Sequence, residues 1–365
     1  MEKILKKLIS FRTLSDNFET QREALNWIKK EIENLPLWIK EEKSKNWSSL
    51  LITTQKTKRP FLWLQAHLDV VPGPSFLFRP KIKKGKLYGR GAFDMKFAIA
   101  CYLKILKDLS KDLQKYNFGI MITTDEEIGG ENGVKFLLEK GYLSKVCFLP
   151  DGGENWKAQL WAKGAIFFKI EAFGKPSHGS RPWKGENAIE KLILFLQELK
   201  KHFPPEPCQD KNHLHNTLNI GKFEGGAIVN KVPEKATAFI DIRFLPKIKK
   251  KEIKKLLLKV KRELKMKNLS FKEITFAESF GIESSNEYLN FFFEIAKEKF
   301  GIKKSFTISH GSSDGRFFAQ KDIPVLMIRP KGGGAHSNQE WIDVKDLPRY
   351  CEVLKEFVKG VSKKS

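Results

Sequence analysis

Residues 118–130 read FGIMITTDEEIGG, an apolar run that stops on three consecutive acids and a Gly-Gly pair. A run without alternation fits a strand covered on both faces, as in the centre of a parallel sheet. Open α/β sheets place their sites at the carboxyl ends of such strands, and here that end carries carboxylates. Successive residues of extended chain point to opposite sides, so Glu126 and Glu127 would face different partners. One could hold a metal while the other meets a water molecule.

Working outward, the same ending recurs. FLWLQAHLDVVP presents His67, GRGAFDMK presents Asp94, LPDGG presents Asp151 and GGGAHSNQEW presents His336, all at strand-to-loop junctions. A pair of co-catalytic ions about 3.5–4 Å apart needs one bridging carboxylate plus separate terminal ligands, and imidazole with carboxylate suits zinc. His67, Asp94, Glu127, Asp151 and His336 meet that count with one carboxylate available as the bridge. Glu126 is left over, in the position of a general base. The pattern therefore predicts two divalent ions, zinc first, with cobalt and manganese suited to the same donors.

The rest of the chain supplies an α/β frame. Helical patterns fill residues 1–33, extended segments follow near Leu50–Thr54 and Phe61–Ala66, and Asp94 opens the helical stretch DMKFAIACYLKILKDL, where an acid favours the helix dipole. The strand FGIMITT, a helix near Val134–Glu139 and the strand VCFL complete an alternation that predicts a mostly parallel sheet covered on both faces. From Gly164 the order changes to strand, helix, two strands, helix, strand, which is a ferredoxin-like split unit. We expect a catalytic domain in two parts, 1–163 and 277–365, interrupted by an α+β insert at 164–276, with the catalytic sheet resuming through SFTIS and IPVLMIRP.

Composition bounds the function classes. The 365 residues include 67 Lys and Arg against 43 Asp and Glu, a formal net charge of +24. The densest basic stretch, from Lys247, sets Ile253, Leu256, Leu257, Val260 and Leu264 at helical spacing, so its lysines form a solvated face. No ribonucleoprotein motif, zinc finger or P-loop accompanies the charge, and nucleic acid is not an expected partner. No segment has the apolar length of a membrane span, and the N-terminal MEKILKKLISF lacks the apolar core of a signal peptide. The four cysteines, Cys101, Cys147, Cys208 and Cys351, are widely spaced and read as buried thiols of a reducing compartment. The expected location is cytoplasmic.

The motifs HLDVVP, GRGAFDMK, DEEIGG, PDGG, GKPSHGSRPWKGENAI, EGGAIVNKVP, DIRF, SSDGRF and GGGAHSNQE, in that order, resemble the dizinc metallopeptidases and deacylases. That family includes acetylornithine deacetylase, succinyl-diaminopimelate desuccinylase, aminoacylase, glutamate carboxypeptidase and several dipeptidases. The resemblance implies one ion on His67, Asp94 and Asp151, the other on Asp94, Glu127 and His336, with Asp94 bridging. It also implies that Asp69 fixes the His67 tautomer, and that the insert acts as a lid and a homodimer surface. A lid histidine, His215 in preference to His213, would stabilise the developing oxyanion. Asn230, Arg243 and Arg329 resemble positions near substrate carboxylates, whereas His178, at the domain junction, suits a structural hydrogen bond. Aspartate at 151, where deacylases more typically have glutamate, points to hydrolysis of small peptides. SSDGRF and the compact length keep the deacylation of N-acyl amino acids as the alternative.

Overall fold

The apolar runs that end in acids become neighbouring strands in the computed structural model, which describes residues 1–204, 215–246, 248–309, 311 and 313–363. The chain divides into two compact units, one formed by Met1–Leu160, Gly281–Ser309 and Ser313–Ser365, the other by Trp161–Phe280.

In the first unit, strands β1 (Trp38–Ser44), β2 (Trp47–Thr53), β3 (Leu62–His67), β4 (Phe118–Thr123) and β5 (Val146–Phe148) join the short strand Val325–Leu326 in a six-stranded sheet. The spatial order is β1-β2-β4-β3-β5 followed by Val325–Leu326. β4 with β3, β3 with β5, and β5 with Val325–Leu326 are parallel, with His67 opposite Thr123 and Val325 opposite Cys147. β1 with β2 and β2 with β4 are antiparallel. The sheet is therefore mixed, and its parallel character is confined to the half that carries β3, β4 and β5. The β1–β2 pairing has a local cause, a two-residue turn at Lys45–Asn46 with Lys45 at φ 53, because a turn that short can join only antiparallel neighbours.

Every residue of β3 and β4 is buried, and the helix Lys96–Asp108 contributes Phe97, Ile99, Leu103 and Leu106 to the same core. Two expectations need adjustment. Phe306–Ser309 is a strand outside this sheet, entered where Ala158 N donates to Ser305 O at 2.9 Å. Of IPVLMIRP, only Val325 and Leu326 join this sheet, while Ile328 bridges antiparallel to Ala158. A β-rich run signals a strand but carries no information about which sheet receives it, and Phe306–Ser309 is not buried at any position.

The second unit contains β6 (Gly164–Phe173), the helix Ala188–Lys200, β7 (Thr217–Gly225), β8 (Lys235–Phe244), the helix Lys250–Glu263 and β9 (Leu269–Ala277). Its sheet has the order β7-β8-β6-β9, antiparallel throughout, which is the arrangement of a ferredoxin-like split unit. Ile166, Phe168 and Ile170 of β6 form a core with Leu192, Phe195 and Leu199 of one helix and Ile253, Leu257 and Val260 of the other. Leu256 and Leu264 pack against it while partly buried, so the lysines of this helix occupy its outer face.

Candidate metal centre

The parallel half of the sheet sets its carboxyl ends side by side. His67 closes β3, the acids 125–127 follow β4, Asp151 follows β5, and Arg329 follows Val325–Leu326. Asp94 sits ahead of the helix Lys96–Asp108, and His336 occupies the turn between Gly332–Gly333 and Trp341–Asp343, a hairpin whose second strand pairs with Lys86–Tyr88.

These side chains converge as two groups of candidate ligands. His67, Glu126 and Asp151 form one group and Asp94, Glu127 and His336 the other, with the ligand atoms in each within 4.8 Å of one another. Asp94 faces both groups. Its Oδ1 is 3.3 Å from His67 Nε2, and its Oδ2 is 3.2 Å from His336 Nε2. His336 Nε2 is also 3.2 Å from Glu127 Oε2, and His67 Nε2 is 3.8 Å from Asp151 Oδ1. Each group offers one imidazole and two carboxylates, a donor set that fits zinc, cobalt or manganese.

His67 is oriented from behind. Its Nδ1 lies 3.0 Å from the main-chain oxygen of Asp69 and 3.6 Å from that residue's carboxylate. Donation to the carbonyl leaves Nε2 as the lone-pair donor towards Asp94 and Asp151. The Asp69 carboxylate does something else: Oδ1 accepts from Glu126 N at 3.2 Å, and Oδ2 accepts from Glu127 N at 3.0 Å and from Ser15 Oγ at 2.9 Å. Asp125 Oδ2 orders the next part of the loop by accepting from Asn132 N at 2.7 Å and Gly133 N at 3.1 Å.

The electrostatics follow from enclosure of so many acids. Burial, with Asp151, Asp314 and Glu127 nearby, pushes the Glu126 carboxyl well above the usual range, although His67 opposes the shift. Glu126 is half-buried as a residue, and a carboxylate oxygen lies among the ligand atoms of His67 and Asp151. Burial also opposes ionisation of Asp94, but Arg329, His336 and His67 hold it well below the usual carboxylate range. His336 is drawn up to about 10 by Asp94 and Glu127. For His67, burial disfavours the charged ring, yet the adjoining carboxylates of Asp151, Asp69 and Asp94 raise its pKa. Protons and cations thus compete for the same donors.

The sequence expectations in this unit therefore come together in space: His67, Asp69, Asp94, Glu126, Glu127, Asp151 and His336 share one neighbourhood. Arg329 is there too, engaged with the acids themselves, its Nη2 donating to Asp151 Oδ1 at 2.8 Å and Asp94 Oδ1 at 3.2 Å, and its Nε to Pro150 O at 3.1 Å. Three residues were missed. Arg90 and Glu340 form a buried ion pair at 2.8 Å. Asp314 is buried with both carboxylate oxygens lacking a hydrogen-bond partner among the described residues, and burial raises its pKa to about 8. All three lie inside motifs quoted above, but Arg90 and Glu340 are far apart in sequence and nothing local marks Asp314 as buried.

In the second unit, Arg243 Nε donates to Asp241 Oδ1 at 2.8 Å and its guanidinium lies over the Phe167 ring. Asn230 is exposed and its main-chain oxygen accepts from Gly179 N at 2.7 Å. His215 is half-buried, with Nδ1 at 3.0 Å from Asn216 O. His178 Nδ1 is 2.8 Å from Ser180 Oγ, a local hydrogen bond. His213 and Cys208 lie outside the described residues.

Comparison with known proteins places this geometry among relatives. Residues 63–360 match the family described as Peptidase family M20/M25/M40. The chain is 28% identical over 354 residues to a succinyl-diaminopimelate desuccinylase of Pelagibacter ubique (strain HTCC1062), with 89% of this chain and 88% of the relative covered. A protein of the same name from Rickettsia bellii (strain OSU 85-389) is 26% identical over 324 residues, covering 82% and 81%. Among solved structures, a tripeptidase from Staphylococcus aureus subsp. aureus Mu50 is similar at a TM-score of 0.78 and 22% identity, over 100% of this chain and 98% of that one. Human carnosine dipeptidase 1 is similar at 0.70 and 14%, over 99% and 95%. At these identities the structural likeness is one of fold.

Proposed function

The chain belongs to peptidase family M20/M25/M40, a hydrolase family acting on amide bonds, and from that membership and the paired ligand groups we propose a dimetal hydrolase of small peptides. The observation that carries the reading is Asp94, one carboxylate whose two oxygens face His67 and His336 across two three-residue groups. His67, Asp94 and Asp151 would hold one ion and Asp94, Glu127 and His336 the other. Bound there, two divalent ions supply Lewis-acid polarisation of the amide carbonyl and acidification of the attacking water.

The chain's own residues handle protons and position. Glu126, its pKa raised by burial, takes the proton of the attacking water and hands it to the leaving amine. Asp69 holds the main chain of Glu126 and Glu127, so that the base and a ligand keep a fixed separation. Arg329 spreads positive charge over Asp94 and Asp151, which lowers the cost of gathering carboxylates in one place. The second unit serves as lid and homodimer surface, with His215 as oxyanion donor and Asn230 and Arg243 towards substrate carboxylates. The dimer reading is supported by the exposed apolar side chains Ile220 and Phe223 on the edge strand β7. A cytoplasmic location agrees with the free buried thiols Cys101, Cys147 and Cys351, and no helix among the described residues is long and apolar enough to cross a membrane.

The curated relatives favour one second reading, removal of a succinyl or other acyl group from an amino acid. A panel of di- and tripeptides against N-succinyl and N-acetyl amino acids, run on protein reconstituted with zinc, cobalt or manganese, separates the two. Faster turnover of free peptides supports the peptidase reading, and turnover of acylated substrates alone replaces it. No metal-dependent turnover of any amide overturns both.

A further inference from the structure

We propose that Arg90 and Glu340 are a positioning pair that preforms the second ligand group by locking the turn of His336 onto the loop of Asp94. Glu340 is fully buried, and its carboxylate is saturated. Oε1 accepts from Phe93 N at 2.8 Å and Asp94 N at 2.9 Å, while Oε2 accepts from Gly91 N at 3.1 Å and Arg90 Nη1 at 2.8 Å. One side chain from the histidine hairpin thus gathers three main-chain donors, Gly91, Phe93 and Asp94, of the loop that ends in Asp94. Arg90 returns the contact. Its Nη1 donates to Ser337 O at 3.2 Å and its Nη2 to His336 O at 3.3 Å.

The need for such a lock is visible in the backbone. His336 sits at φ 62, in the left-handed region that a non-glycine residue leaves unless its surroundings hold it. Its side chain is the most exposed of the six candidate ligands, so packing does little to fix it. The guanidinium on its carbonyl and the carboxylate four residues later are what define where its ring points. Asp94 is fixed by the same carboxylate, through its own N–H. By contrast, the other group takes its order from β3, β5 and Asp69, without Glu340. Loss of the pair should therefore act unequally on the two groups: the second loses the placement of Asp94 and His336, the first only that of Asp94.

This inference rests on the dimetal reading, and the test separates the two. Full-length protein stripped of metal is titrated with cobalt(II), followed by visible absorption and by calorimetry, for the wild type, Glu340→Gln and Arg90→Lys. Wild type takes up two equivalents. In Glu340→Gln one equivalent keeps its affinity within about threefold while the other weakens roughly 10- to 100-fold, the usual effect of losing an outer-shell partner. Arg90→Lys, which keeps the charge but not the fork, shows the same inequality at smaller size. Both equivalents unchanged, or both weakened by the same factor, overturns the positioning role even where melting temperature falls. Should Glu340→Gln not fold, Arg90→Lys decides by the same criterion. Fewer than two equivalents in the wild type overturns the dimetal reading and the pair's role together.

Discussion

Asp69→Asn is the perturbation whose consequence can be worked furthest. The two carboxylate oxygens face different donors, Oδ1 the Glu126 N–H and Oδ2 the Glu127 N–H and the Ser15 hydroxyl. An amide placed either way aims its NH2 at a backbone N–H, since asparagine offers one acceptor where aspartate offers two. One of the two N–H groups loses its partner inside a buried neighbourhood, and the remaining bond is no longer charge-assisted. Leaving a buried donor unsatisfied costs about 1–3 kcal/mol. That strain falls on the two residues read as base and ligand, so turnover should drop roughly 10- to 100-fold, the conversion of that energy at about 1.4 kcal/mol per decade. The main-chain carbonyl of residue 69, which meets His67 Nδ1 at 3.0 Å, is untouched, so metal stoichiometry should stay at two. Steady-state kinetics on the preferred amide, with metal content measured on the same samples, gives both numbers. Wild-type kcat in this variant refutes the argument that the carboxylate positions Glu126 and Glu127; loss of an ion refutes the division of labour between carbonyl and carboxylate.

Three further outcomes are expected. Glu126→Gln should retain both ions while kcat falls about 10²- to 10⁴-fold, the span for a removed general base; near-normal turnover would assign the proton transfer elsewhere. At Gly130, φ is 65 and an added Cβ would stand 1.9 Å from Asp314 Oδ1, so Gly130→Ala should cost about 1–3 kcal/mol by overpacking, read as a lowered denaturant midpoint, and an unchanged midpoint would contradict the close approach. Burial pushes the Glu42 carboxyl up, but Lys140, Lys40 and Tyr142 more than reverse it, from 4.5 to about 2. Its folded pKa is thus below the unfolded one, and the stabilisation is present above pH 4.5 and lost as pH falls towards 2. Allowing for the exposed lysine partners, Glu42→Gln should lose about 1–2 kcal/mol at pH 7 and roughly half of that or less at pH 3, by denaturant titration at both; equal losses at the two pH values would remove the carboxylate as the cause.

What the sequence discloses about this protein depends on the range of the interaction. The candidate ligands His67, Glu127 and Asp151 are readable because each closes or follows an apolar run that forms a buried strand. The topology of the second unit is readable because its element order alone admits few topologies. The direction of β1 and β2 is not readable, since burial patterns are blind to whether a neighbour runs parallel. Arg90 and Glu340 escape because a buried pair far apart in the chain leaves no local periodicity. The Asp69 carboxylate is legible only in part. Its nearness to His67 in sequence suggests a partnership, and it does lie 3.6 Å from the ring, but its hydrogen bonds to the amides of Glu126 and Glu127 and the closer approach of its own main-chain carbonyl to the ring leave no trace in the sequence.

The adjacency of β5 and Val325–Leu326 has a consequence for synthesis. The chain leaves the sheet after Asp151, builds the whole second unit, and only then returns with the last parallel strand, Arg329 and His336. A ribosome-bound nascent chain that has already completed the strands of His67, Glu127 and Asp151 still exposes the open edge of β5 and an unfinished ligand set. The six candidate ligands therefore come together only late in translation, and the edge of β5 stays unpaired until the final segment emerges.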